Sequence, residues 1–150
     1  MIARRLTLLV FVLLVGCASS VPLQRGQIDA LTRETRPADL EQILGKATPL
    51  AQTDVQSGER QYNARRYQLQ TGSRQEMTMV CTPGCFPIFI TVPVMVEYVV
   101  IQRLPGKELL AWGTPEELSK DADIEVSALM PTVKQRLEAA AVAAAASKKP

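Results

Sequence analysis

The sequence contains no histidine. Ser-His-Asp and Cys-His catalysis, histidine ligation of metals and ordinary histidine pH switching are therefore closed to it. Glycine is scarce, at 8 residues, and none of it forms a phosphate-cradling Gly-rich loop. Aromatic residues make up 5% and do not interleave with a basic patch, which disfavours nucleic-acid binding. Carboxylates are present, but no spacing singles out an acid–base pair. These absences point away from an enzyme, a metal site or a cofactor.

The N-terminus is the most legible part. Arg4 and Arg5 precede Leu6–Val15, an apolar run interrupted by Thr7, and then come Gly16 and Cys17. This is the layout of a secretory signal. An apolar run of about 10 residues is too short for a membrane span, which needs roughly 20. Leu14-Val15-Gly16-Cys17 resembles the lipobox of bacterial lipoproteins. The resemblance implies a diacylglyceryl group on the Cys17 thiol, cleavage before it and acylation of the new amine. An ordinary signal with an incidental cysteine is the alternative. Ala18 and Ser19 follow, with no Asp. By the same resemblance the mature chain goes to the outer membrane, lipid-anchored and facing the periplasm. Several acyl chains anchor stably where one does not. The precursor has 17 Lys plus Arg against 15 Asp plus Glu. Arg4 and Arg5 leave with residues 1–16, so the mature chain is balanced at 15 against 15. The excess positive charge is a targeting feature.

Residues 17–27 read as a lipidated tether, since Ser, Pro and Gly favour no regular structure there. Residues 28–34 suit one or two helical turns, with Ile28 and Leu31 at i, i+3. Thr35 is a candidate cap for a second helix with Pro37 in its first turn. Leu40, Ile43 and Leu44 share its apolar face, and Gly45 stands at the C-cap. Residues 51–60 are polar and loop-like. Tyr62, Tyr67 and Leu69 among polar neighbours suit a solvent-facing strand over 61–71. Val94–Arg103 is apolar on both parities, which predicts a strand covered on both faces. Leu104-Pro105-Gly106-Lys107 fits a type II turn with positive φ at Gly106. Glu108–Trp112 then returns as the partner strand. Thr114-Pro115-Glu116-Glu117 is a capping box, so its glutamates are structural. Helix follows to about Met130 with a break near Asp121–Asp123, and Pro131 breaks or restarts it. The Ala-rich end, Ala139–Ala146, predicts a frayed, exposed tail.

With Cys17 assigned to lipid, Cys81 and Cys85 remain. An oxidising periplasm favours a disulfide, and Thr82-Pro83-Gly84 between them is a turn. A metal site would need more ligands, and a redox pair usually shows C-x-x-C. Around these cysteines no charged residue occurs from Met77 through Val96. Pro87 and Pro93 disfavour a central strand and a spanning helix. Two readings of this loop, residues 77–93, stand side by side. One is extended core or an edge-strand extension. The other is an exposed apolar patch, anchored by Phe86, Ile88 and Phe89, that docks on a partner or dips into the membrane.

Thr35–Pro49, ending Ile43-Leu44-Gly45-Lys46-Ala47-Thr48-Pro49, resembles the helix–loop signature of small lipoproteins of the SmpA/OmlA type, a family that includes the BamE subunit of the β-barrel assembly machinery. Val99–Gly113 is similar to that family's final hairpin. The family has Gly-Met-Thr where this chain has Glu34-Thr35-Arg36, and residues 77–93 read as an insertion. The resemblance implies an α+β fold over 28–113: two short helices packed on a small antiparallel three-stranded sheet. A C-terminal helical extension over 114–150 is additional. The functional expectation is a non-enzymatic outer-membrane lipoprotein that binds an envelope protein in envelope assembly or integrity. A periplasm-facing ligand- or inhibitor-type binding module using the loop 77–93 is the alternative.

Overall fold

The computed structural model describes residues 21–147. Residues 1–16, expected to be a signal segment, and Cys17, the expected lipidation site, lie outside the described residues. The elements are β1 (Leu23–Gln24), α1 (Arg25–Asp29), α2 (Pro37–Leu44), β2 (Ala51–Ser57), β3 (Arg60–Cys81), β4 (Cys85–Leu104), β5 (Glu108–Gly113), α3 (Pro115–Ser119) and α4 (Ile124–Ser147). The fold is mixed helix and sheet, as expected, but the sheet has five strands, not three. β4 lies between β3 and β5. β2 and β1 both pair with the other side of β3, β2 antiparallel along Arg60–Arg66 and β1 parallel at Leu69–Gln70.

The segment 51–60 is therefore strand and turn, not loop. β2 carries only Ala51 and Val55 as buried apolar residues, with exposed Gln52, Asp54 and Gln56 between. Its alternation is real but too sparse in apolar residues to stand out in the sequence. Gly58 closes the β2–β3 turn at φ +59, a left-handed conformation that favours glycine. The tether reading of 17–27 also needs correction from Val21 onward. Leu23 is fully buried, and the Val21 carbonyl accepts from the Thr48 amide at 3.0 Å.

The sheet is covered on both faces, which explains why β4 is apolar on both parities. On one face Leu23, Tyr67, Leu69, Tyr98, Val100 and Leu109 pack with Leu31, Leu40 and Leu44 from the two short helices. On the other, Tyr62, Ala64, Val99, Ile101 and Ala111 pack with Leu118 of α3 and Val126, Leu129, Met130, Val133 and Leu137 of α4. β3 is thus a core strand over 62–69, with alternate residues feeding opposite clusters, and not a solvent-facing one. Gln27 joins the short helices: its amide donates to the Ile43 carbonyl at 2.6 Å, while its Oε1 accepts from the Gln24 amide.

Three local expectations shift. The N-cap of α2 is Arg36, one residue past Thr35, whose hydroxyl instead accepts from the Thr32 amide at 2.8 Å. In the β4–β5 turn the left-handed residue is Lys107, φ 57, and not Gly106. The turn is consequently not type II, although the hairpin itself forms, and buried Gln102 donates to the Lys107 carbonyl at 3.0 Å. α4 runs through Pro131 without a break. Interior proline costs roughly 3 kcal/mol in a helix. Here five buried side chains at i, i+3/i+4 spacing hold the helix onto the sheet, each worth about 1.5–3 kcal/mol of burial. The capping box at Thr114 forms as read: Glu117 N donates to Thr114 Oγ1 at 3.3 Å, and Thr114 N donates to Glu117 Oε2 at 2.8 Å. The C-terminal helices are a layer of the core and not an appendage. Leu137 is buried, Ala140 and Ala141 pack against the same core cluster, and every described residue from Val142 onward is exposed.

Candidate docking arm

The feature that stands out from this two-faced core is the outer part of the β3–β4 hairpin. Pairing runs without interruption from Gly72↔Val94 to Cys81↔Cys85. On the outer side of β3, pairing with β1 ends at Gln70, and on the outer side of β4, pairing with β5 ends at Val99. The last part of the hairpin is therefore a two-stranded ribbon projecting from the domain. The stretch 77–93, read as a loop that is either an edge-strand extension or an exposed patch, belongs to this ribbon and extends β3 and β4. Nor is it core: nearly every residue from Thr71 to Thr91 is exposed.

Pro87 and Pro93 fit because the ribbon has no neighbour beyond β4. They oppose Met79 and Ser73 and lie six residues apart, on the same parity. A strand's missing N–H is harmless where it would face solvent. At the tip, Cys81 and Cys85 are opposite each other with Cα atoms 4.0 Å apart and their sulfurs at disulfide bonding distance. The Thr82 amide donates to the Gly84 carbonyl at 3.0 Å and closes the turn.

All three anchors read from the sequence are exposed: Phe86 by 63%, Ile88 by 40% and Phe89 by 71%. They do not form one surface. Strand alternation puts Phe86 and Ile88 on one face, with Val80 and Ile90, and Phe89 on the other, with Met77 and Met79. The two methionines are exposed by 64% and 57%. Sequence reading missed them as anchors, although the signal was present in the charge-free run that starts at Met77. Both faces of the distal ribbon are thus apolar. Towards the root, Arg74 and Glu76 share a face and pair at 2.5 Å, and Arg66 pairs with Glu97 at 3.3 Å.

A groove of about 420 Å³ flanks the root, between the sheet and α4, lined by Val96, Val99, Met130, Val133 and Leu137 with charged residues at its rim. A second polar network secures α4. Glu125 accepts from the Tyr62 hydroxyl at 2.6 Å, from Arg103 at 3.1 and 3.2 Å and from Arg60 at 3.0 Å. The Tyr62 hydroxyl and then the arginines hold the Glu125 carboxyl below its ordinary range against the opposing effect of burial. The network bridges β3, β4 and the start of α4, which is a structural task. Among the described residues no group of three or more His, Cys, Asp or Glu could hold a metal ion, and no helix is long and apolar enough to cross a membrane. Comparison with protein-family models, with curated proteins and with solved structures finds no match.

Proposed function

We propose that this protein is a non-enzymatic lipoprotein, held at the outer membrane through acylated Cys17 and facing the periplasm, that binds another envelope protein through its hairpin arm in envelope assembly or integrity. The observation that carries this reading is the ribbon itself: a disulfide-closed arm that exposes Phe86, Ile88, Phe89, Met77 and Met79 to solvent. Large exposed apolar surfaces mark interaction sites. Two considerations favour a protein over the bilayer core as the arm's target. The outer edges of a lone ribbon leave backbone groups unpaired, and each costs several kcal/mol in hydrocarbon. In addition β1 runs parallel to β3, so the chain reaches Leu23 from the end of the sheet opposite the arm tip. At about 3.3 Å per residue, Leu69 to Cys81 spans roughly 40 Å, whereas the chain from Cys17 to Val21 reaches at most roughly 15 Å. An arm of that length carries its tip beyond the reach of the short stretch from Cys17, which supports a target other than the bilayer at the anchor. The resemblance to the SmpA/OmlA lipoproteins agrees with an accessory role.

Photo-crosslinking in intact cells from position 89 tests this. The expected result is capture of one defined envelope protein, lost when Phe86 and Phe89 become Ser. Capture of lipid alone would replace the docking arm with a membrane-dipping one. Loss of radiolabelled acyl chain in Cys17→Ser checks the anchor separately.

A further inference from the structure

The arm has two outer edges, and they are unequal. The edge of β4 is blunted by Pro87 and Pro93, which have no N–H to offer a neighbouring strand. The edge of β3 from Thr71 to Cys81 contains no proline. The parity of the prolines also indicates which groups face out. If the residues at 87 and 93 do not donate to β3, their partners Met79 and Ser73, and with them Gln75 and Met77, turn their own N–H and C=O groups to the free edge. This edge continues the side of β3 already used by β2 and β1.

We propose that a second copy of this chain pairs with the free edge of β3, antiparallel, about a twofold axis through Gln75, giving a four-stranded sheet ordered β4–β3–β3–β4. Charge selects both the occupant and the register. Arg74 and Glu76 are the charged residues of the edge, and they flank Gln75 on one face. A twofold axis at Gln75 sets Arg74 of each copy directly opposite Glu76 of the other, so both cross-strand pairs are attractive. An axis through Arg74 or through Glu76 would set like charges opposite each other. The register pairs Thr71 with Met79 and Ser73 with Met77, and it requires each tip from Val80 onward to turn out of the shared sheet, because Gln70 and Leu69, which would stand opposite Val80 and Cys81, already pair with β1. Such a contact is isologous and closes on itself, as the twofold dimers commonest among homo-oligomers do. The inference stands on the edge and its charges and does not depend on the lipid anchor or on the tip's partner.

The test uses the purified full-length chain in detergent and sedimentation velocity across a concentration series. The parent should shift from monomer to dimer mass as concentration rises. Arg74→Glu or Glu76→Arg should weaken the dimer about tenfold, since two attractive pairs become repulsive. The double reversal Arg74→Glu/Glu76→Arg should restore it. Both side chains are exposed and pair only with each other, so the monomer fold is expected to survive, and unchanged circular dichroism verifies this. In a second measurement, mild oxidation should link Gln75→Cys to itself across the axis and leave Ser73→Cys unlinked. A monomer at every concentration would overturn the proposal, as would indifference to the single reversals or equal linking at positions 73 and 75.

Discussion

Replacing Leu137 with Ala asks whether the C-terminal helix is a layer of the fold or a tail. Leu137 is 2% exposed and is the last fully buried side chain of α4, in the core cluster that also holds Val133 and the sheet residues Val99 and Ile101. Buried Leu→Ala changes cost about 2–5 kcal/mol, the transfer term plus the cavity left behind. Leu137 also lines the groove at the arm's root, so part of the new space is continuous with solvent and the cavity term is reduced. The expected cost is about 3 kcal/mol. For a domain of this size that lowers the melting temperature by roughly 10 °C. Val142, five residues on and 70% exposed, provides the control: Val142→Ala should stay within about 0.5 kcal/mol. Urea titration followed by circular dichroism measures both, and the slope of the transition should be the same in the two variants. If Leu137→Ala cost no more than Val142→Ala, α4 would not be packed on the sheet, and the two-faced core would be wrong.

Three further outcomes follow from the same structure. The Glu125 carboxyl is held below its ordinary value of 4.5 chiefly by the Tyr62 hydroxyl. A depressed carboxylate contributes stability above its unfolded pKa and loses it as pH falls through the folded value. Acid titration of stability should therefore show a loss beginning near pH 4.5 that Glu125→Gln flattens; an unchanged acid limb would remove Glu125 from the network. Tyr98 is pushed up to about 12, first by burial and then by Glu117 and Asp29. Its neutral form is favoured in the fold, so its contribution is complete below pH 10 and is lost between pH 10 and about 12. Tyr98→Phe should reduce the alkaline loss of stability, with Tyr62 and Tyr67, both also raised, carrying the remainder. The double change Cys81→Ser/Cys85→Ser should leave the urea midpoint within about 0.5 kcal/mol, because the bridge is at the tip and outside both core clusters. Limited proteolysis should instead cut faster between Val80 and Phe86, since opening there is local; a large global loss would contradict a projecting arm.

Much of the local chemistry was legible in the residues. The capping box at Thr114, the apolar face Leu40-Ile43-Leu44, the two-sided strand Val94–Arg103 and its return over Glu108–Trp112 are each specified by neighbours within a few positions, where propensity and spacing operate. The proximity of Cys81 and Cys85 also followed from a short turn. The lipobox reading of Cys17 rests on sequence alone. What the tertiary structure decided depends on partners distant in the chain. β2 is a strand because α4 covers Ala51 and Val55, although its own residues are mostly polar. Tyr62 and Tyr67 are buried because helices from both ends of the chain close over opposite faces of β3. Pro131 stays inside a helix because the sheet holds that helix in place. The charge-free run from Met77 could equally have been core or surface, since apolar residues are stable in either a protein interior or a complex. Only the sheet's pairing, with β1 ending at Gln70 and β5 at Val99, leaves that ribbon without a third strand and turns an apolar sequence into an exposed arm.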